Sequence, residues 1–183
     1  MTTDRSTTAL ILIDPQLDYF AGGLYPLANS DALLPVWTQL IEHAQQQGMP
    51  VIFVRHLVPV GPQPGPFFNA GSEGAAIHPV LRQAAPNAHV IIKHHADSFD
   101  ETALLSLLNQ LGSDSLWLCG MMTQNCVTHT ALSPQAAGFS VTVIGNACTT
   151  REPMLHLIAL RALSRRVAVT DTNNLPEAPK ACE

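Results

Sequence analysis

Short unbroken apolar runs alternate along this chain with longer stretches of helical periodicity. Ala9-Leu10-Ile11-Leu12-Ile13 is such a run, the pattern of a strand buried on both faces of a parallel sheet. It predicts a first strand over 8–13. Leu33, Leu34, Trp37, Leu40, Ile41 and Ala44 then fall on one helical face. They predict a helix over 31–47, with Asp31 as N-cap and Gly48 just past its end. A second strand is expected over 50–55, a short helix over 79–84 and a third strand over 89–93. A helix capped by Ser98 or Asp100 should run to about Leu111, with Leu104, Leu107, Leu108 and Leu111 inward. A fourth strand is expected over 115–119. The helix after it carries Cys126 towards Ala137 and meets Pro134, which predicts a kink or restart near Ser133. A fifth strand over 140–144, a helix over 153–164 and a sixth strand over 167–170 complete the series.

Such alternation implies an α/β single domain over 1–183: a mostly parallel six-stranded sheet with helices on both faces, a Rossmann-like three-layer sandwich. Irregular tails are expected at 1–7 and 173–183. Segment 59–74 is rich in Pro and Gly and long for a simple connection, so it reads as a wall or lid over a site.

Three strand ends carry reactive side chains. The first run ends in Asp14, the third in Lys93, and the fourth reaches Gly120 just before Cys126. In an open parallel sheet, ligands bind in the crevice at the carboxyl ends of the strands, so the three residues could converge there. Thr123 or Asn125 can cap the following helix, which puts Cys126 in its first turn. Unpaired N–H groups and the helix dipole there favour thiolate over thiol. Taken singly, Asp14 also reads as a turn former before Pro15, Lys93 as a solvated charge and Cys126 as a structural thiol.

Four stretches carry a family resemblance: the segment 10–20 (LILIDPQLDYF), Lys93 with Ser98-Phe99 and Thr102, the segment 120–127 (GMMTQNCV), and Asn146-Ala147-Cys148-Thr149-Thr150. In this order and spacing the chain resembles the isochorismatase-like cysteine hydrolases, which include nicotinamidases and N-carbamoylsarcosine amidases, over roughly 8–172. The resemblance implies an Asp-Lys-Cys triad of Asp14, Lys93 and Cys126. It also implies an oxyanion hole built from the backbone N–H groups of Met122 and Cys126, beside a cis peptide at Met121–Met122. The activity implied is hydrolysis of a small amide or related C–N bond through a Cys126 thioester. Asp14 would take the thiol proton, pass it to the leaving amine, and then activate water. An isochorismatase-type reaction on another small molecule, which needs no cysteine, and a non-catalytic ligand-binding or redox-sensing member are the alternatives.

Departures from the family bear on cofactors. Nicotinamidases hold a metal through Asp-x-His and a later His. Here the second strand ends Arg55-His56-Leu57-Val58 with no carboxylate beside His56, so no metal is expected. His56 is assigned to the pocket, one of His94 and His95 is expected to pack inward, and His129 is expected to point away from the substrate. Gln16, Tyr19, Phe20, Phe67 and Phe68 are pocket candidates on two loops flanking the site. Asp18 is read as a loop-capping residue. Cys119 and Cys148 are read as core, and Cys182 as an exposed bystander.

Composition narrows the partners. Hydrophobic residues make up 46% of the 183 and charged residues 13%. So few charges point to surface hidden in a homo-oligomer, dimer or higher, or to a large core. The resemblance implies the former. A formal net charge of −5 without a basic block argues against nucleic acid. No apolar stretch approaches ~18 residues, so neither a membrane span nor a signal peptide is expected. Four scattered cysteines without a CxxC pair suggest a reducing, cytoplasmic setting. Dinucleotide and P-loop fingerprints are absent. The expected partner is a small-molecule substrate, with no cofactor.

Overall fold

The structure is a computed structural model in which residues 7–175 are described. Its six strands are β1 (Thr7–Ile13), β2 (Val51–His56), β3 (His89–Lys93), β4 (Ser113–Met121), β5 (Ser140–Thr149) and β6 (Ala168–Thr170). They form one sheet in the order β3-β2-β1-β4-β5-β6, and every pairing is parallel. β1 lies between β2 and β4, which explains its unbroken apolar run. Leu10, Ile11, Leu12 and Ile13 are all fully buried, each burial stabilising by about 1.5–3 kcal/mol.

Five α-helices connect the strands: α1 (Leu33–Gln46), α2 (Pro79–Ala84), α3 (Leu104–Gln110), α4 (Thr128–Ala131) and α5 (Pro153–Leu163). The chain builds outward from β1 to β3, then returns to β4 and builds outward to β6. Right-handed crossovers therefore put α1 and α2 on one face and α3, α4 and α5 on the other. α1 buries Leu33, Trp37, Leu40, Ile41 and Ala44, and the Trp37 indole donates to the Ala147 carbonyl of β5 at 2.8 Å. Gly48, with φ +68°, ends the helix. Its N–H reaches Gln45 O while Met49 N–H reaches Ala44 O, which satisfies the last carbonyls as a Schellman turn does.

Several boundaries differ from expectation, each for a local reason. α1 starts at Leu33 because Ser30 and Asp31 spend their carbonyls in turns to Leu33 and Leu34, so Asp31 does not cap it. Ser98 faces inward to Thr130 and Asp100 lies in the preceding turn. The Thr102 hydroxyl accepts from Leu104 N–H instead, and α3 is correspondingly shorter. Leu104 and Leu108 are buried, while Leu107 and Leu111 are only partly covered. Neither Thr123 nor Asn125 caps the Cys126 segment; Met122 precedes a five-residue π turn, Thr123–Val127. β5 continues past Ile144 to Thr149, because Cys148 and Thr149 pair with Gly120 and Met121. The restart at Pro134 does occur, as a 3-10 turn capped by Ser133. Thr7 already belongs to β1 and Thr172–Asn174 form a 3-10 turn. The rest of both expected tails, Cys182 included, lies outside the described residues. No described helix is long and apolar enough to cross a membrane.

Candidate active site

The sheet order reverses between β1 and β4, and the crevice outside their carboxyl ends is where α/β sheets bind ligands. Asp14 follows β1 directly. Its N–H still pairs with Val54 O at 2.9 Å, but its φ of +52° turns the chain out of the ladder. Left-handed backbone at a non-glycine residue is strained, and Asp is among the side chains that tolerate it. Beside it, Gly120 has φ +121° and lies so close to Ile13 that a Cβ would overlap the Ile13 carbonyl. Glycine is what lets β4 approach β1 at the point where the site begins. The Met121–Met122 peptide that follows is cis, as the resemblance implied.

Lys93 reaches the same point from β3, two strands away from β1. That is about 9–10 Å across the sheet, a span for which a long, unbranched cation is suited. Its Nζ lies 3.0 Å from Asp14 Oδ2, 3.2 Å from Cys126 Sγ, 3.1 Å from His56 Nδ1 and 3.1 Å from the His95 carbonyl. An ammonium has three protons, so four acceptors share them. Because Lys93 can only donate, His56 Nδ1 must accept, and the ring proton resides on Nε2. Burial would lower the Lys93 pKa, but the charges of Asp14 and Cys126 outweigh it and raise it. Burial, then Lys93, lowers the His56 pKa against the opposing pull of Asp14.

Cys126 departs from expectation. Burial first, then the Asp14 charge, pushes its thiol up to about 12, and Lys93 offsets only part of this. The π turn and the four-residue α4 supply a weak dipole, while the residue is only 3% exposed. Desolvation wins, and the resting state is a thiol facing an Asp14–Lys93 ion pair. Three hydroxyls fix its turn. Thr123 Oγ1 donates to Thr149 O and lies 2.9 Å from His156 Nδ1. Thr128 Oγ1 donates to Thr123 O. Thr130 Oγ1 ties α4 to Ser98, in the loop that follows Lys93. Of these Ser98, Thr123 and Thr149 belong to the matching stretches noted in the sequence; the roles of Thr128, Thr130 and His156 had no sequence signal.

The pocket candidates divide. Tyr19, Phe67 and Phe68 form an aromatic cluster with Tyr25, and the Phe68 ring centroid is 6.1 Å from His56. Burial, then the Asp14 and Cys126 charges, raises the Tyr19 pKa, so its phenol stays neutral. Gln16 instead spends its amide on backbone: it donates to His56 O and Ala75 O and accepts from His56 N–H. Phe20 packs on Trp37 and His78. Both are tied into the surrounding structure through these contacts. Asp18 is buried and accepts from Leu24 and Phe68 N–H, while Gly74 lies against its carboxylate. It anchors the 59–74 segment, as a loop-capping residue would.

His129 is exposed and meets Asn125 O. His94 and His95 are both exposed, so neither packs inward. His94 turns to Leu57 O at 2.7 Å and His95 to Glu101 at 3.3 Å. Among the described residues, His94, His95 and His129 belong to no group of three metal-capable side chains. Cys119 and Cys148 are core residues.

Comparison with known proteins agrees with this fold. The family model described as Isochorismatase domain matches residues 8–174. An isochorismatase family protein of Bacillus subtilis (strain 168), YddQ, is 35% identical over 144 residues, 79% of this chain and 78% of its own. The nicotinamidase of Escherichia coli (strain K12) is 29% identical, covering 76% of this chain and 82% of its own. The crystal structure of an isochorismatase hydrolase from Oleispira antarctica superposes with a TM-score of 0.85 at 33% identity, covering 94% of this chain and 97% of that one. The chain belongs to the isochorismatase family of hydrolases.

Proposed function

We propose that this chain is a cysteine hydrolase that cleaves a small amide or related C–N bond through a Cys126 thioester. One observation carries the reading: a thiol, an ammonium and a carboxylate from three strand ends meet within one buried cluster. Asp14 takes the thiol proton as sulfur attacks the carbonyl carbon. The oxyanion is received by the Met122 and Cys126 N–H groups, with Lys93 holding the negative charge of the cluster. Asp14 then protonates the departing ammonia or amine, and serves as base for the water that cleaves the thioester. A thiol kept protonated until substrate arrives suits this order of events, because the proton is handed over when the carbonyl is in place. It suits redox sensing poorly, since a sensor cysteine needs exposure and low pKa.

The Tyr19–Phe67–Phe68 cluster beside His56 supports a flat or apolar substrate body. The nicotinamidase relative favours the same class. Association is part of the proposal: Met154, Leu157 and Ile158 form an uncovered apolar stripe on α5, each about 60% exposed or more, which a second copy would bury in a cytoplasmic homo-oligomer.

A panel of primary amides, nicotinamide and N-carbamoyl amino acids among them, should show ammonia release with wild type and none with Cys126→Ala. Acid quenching should trap an acyl group on the peptide carrying Cys126. Turnover that survives Cys126→Ala would overturn the reading.

A further inference from the structure

We propose that Asp14, His56 and Cys126 form a binding site for a thiophilic divalent cation, zinc above all, and that occupancy by the ion shuts the catalytic cluster down. The proposal does not rest on which bond the enzyme cleaves.

Among the described residues, one group of three metal-capable side chains converges, and it is this one. A carboxylate oxygen, an imidazole nitrogen and a thiol sulfur all lie within 4.8 Å of one another. Zinc accepts all three donor types, with bonds of about 2.0–2.3 Å. A tetrahedral ion of that size spaces its donors by roughly 3.3–3.8 Å, so from within 4.8 Å the three need close by about 1.0–1.5 Å at most. The Asp-x-His pair of nicotinamidases is not matched after β2, where the chain reads Arg55-His56-Leu57-Val58.

The feature that points to an ion is Lys93. Its Nζ already stands among the three donors, at 3.0 Å from Asp14, 3.2 Å from Cys126 and 3.1 Å from His56, with the His95 carbonyl as a fourth oxygen at 3.1 Å. The cluster is thus a four-donor cage around a resident cation. His56 offers an unprotonated Nδ1 turned inward, ready to bind. An incoming zinc ion displaces the ammonium, which leaves still protonated. The thiol gives one proton to solvent and becomes the thiolate ligand. The ion then holds both the nucleophile and the base, and neither is free to react. Magnesium and calcium, which prefer oxygen, do not compete for a sulfur and nitrogen donor set.

Lys93→Ala keeps the three donors and removes the competitor. Titrated with Co2+, this variant should develop a thiolate-to-cobalt charge-transfer absorption and bind at least tenfold tighter than wild type. Adding His56→Ala should weaken binding at least tenfold, and adding Cys126→Ser should abolish the absorption. A folded Lys93→Ala variant without that absorption, or one indifferent to both additions, overturns the proposal. Wild type gives a second measurement that does not depend on the variant folding. Zn2+, but not Mg2+, should protect Cys126 from iodoacetamide at pH 8, and EDTA should remove the protection. Equal alkylation with and without Zn2+ overturns the proposal as well.

Discussion

Lys93 Nζ and Asp14 Oδ2 meet 3.0 Å apart, and neither side chain is exposed to solvent. A buried pair of this kind is strongly interdependent, because losing one partner strands the other charge in a medium that solvates it poorly. Lys93→Met should therefore lower the unfolding free energy by about 3–5 kcal/mol in urea titration, besides abolishing turnover. A loss below about 1 kcal/mol would mean that Asp14 is relieved of its stranded charge, by taking up a proton or by meeting water.

Asp14→Asn should move two observables in opposite directions. Turnover should fall by at least about 10²–10⁴, the usual worth of a general base. Yet Asp14 is, after burial, the largest cause of the raised Cys126 pKa. Removing its charge while Lys93 remains lowers that pKa, and each unit is tenfold more thiolate at pH 7. Iodoacetamide should then label Cys126 faster in the dead variant than in wild type. Slower labelling would show that Asp14 is not what holds the proton on sulfur.

Alkaline pH should destabilise the fold from about pH 9 upward. Cys126 and Cys148 are both pushed up to about 12 from 9.0, chiefly by burial. A group whose folded pKa is raised favours the folded state fully below its unfolded pKa, and loses that contribution as pH climbs towards the folded value. Each thiol should cost up to about 1.4 kcal/mol per pH unit in that window. Urea midpoints between pH 8 and pH 11 check the slope, and Cys148→Ala should flatten it.

Gly120→Ala should cost more than an ordinary core substitution, about 3 kcal/mol or more, because the added methyl overlaps the Ile13 backbone and the φ is unsuited to alanine. Gln16→Ala strands the His56 N–H, at about 1–3 kcal/mol, while the Ala75 carbonyl keeps the Arg55 Nε donor. Urea denaturation measures both, and Gln16→Ala should also lower kcat by loosening His56.

Ile158→Glu on the α5 stripe should shift the protein to a smaller species in light scattering. Unchanged mass would remove the association proposal without touching the chemistry.

Much of the site was legible because its residues end strands. Strand ends announce themselves where an apolar run stops, as at Ile13-Asp14 and Ile92-Lys93, and β3 and α2 have their expected bounds. What misled was local chemistry overruled by tertiary contacts. Ser98 and Asp31 look like caps in isolation, but one is drawn inward by Thr130 and the other lies in a turn. Gly145 and Asn146 look like the end of a strand, yet pairing with β4 carries β5 past them. The same limit explains Cys126: its position in a turn is visible in the residues, whereas the depth that keeps its proton on depends on residues far apart in the chain.

Asp18 has a consequence for how such proteins diversify. Its carboxylate holds Phe68, and its N–H is held by Gly74 O. Asn69 meanwhile clips Gly65 and bridges to Val58. The segment between Val58 and Phe67 is therefore fastened at both ends to residues outside the triad. Insertions and exchanges there alter what enters the crevice and leave the geometry at Lys93 intact, so new substrate preferences can arise on an unchanged engine.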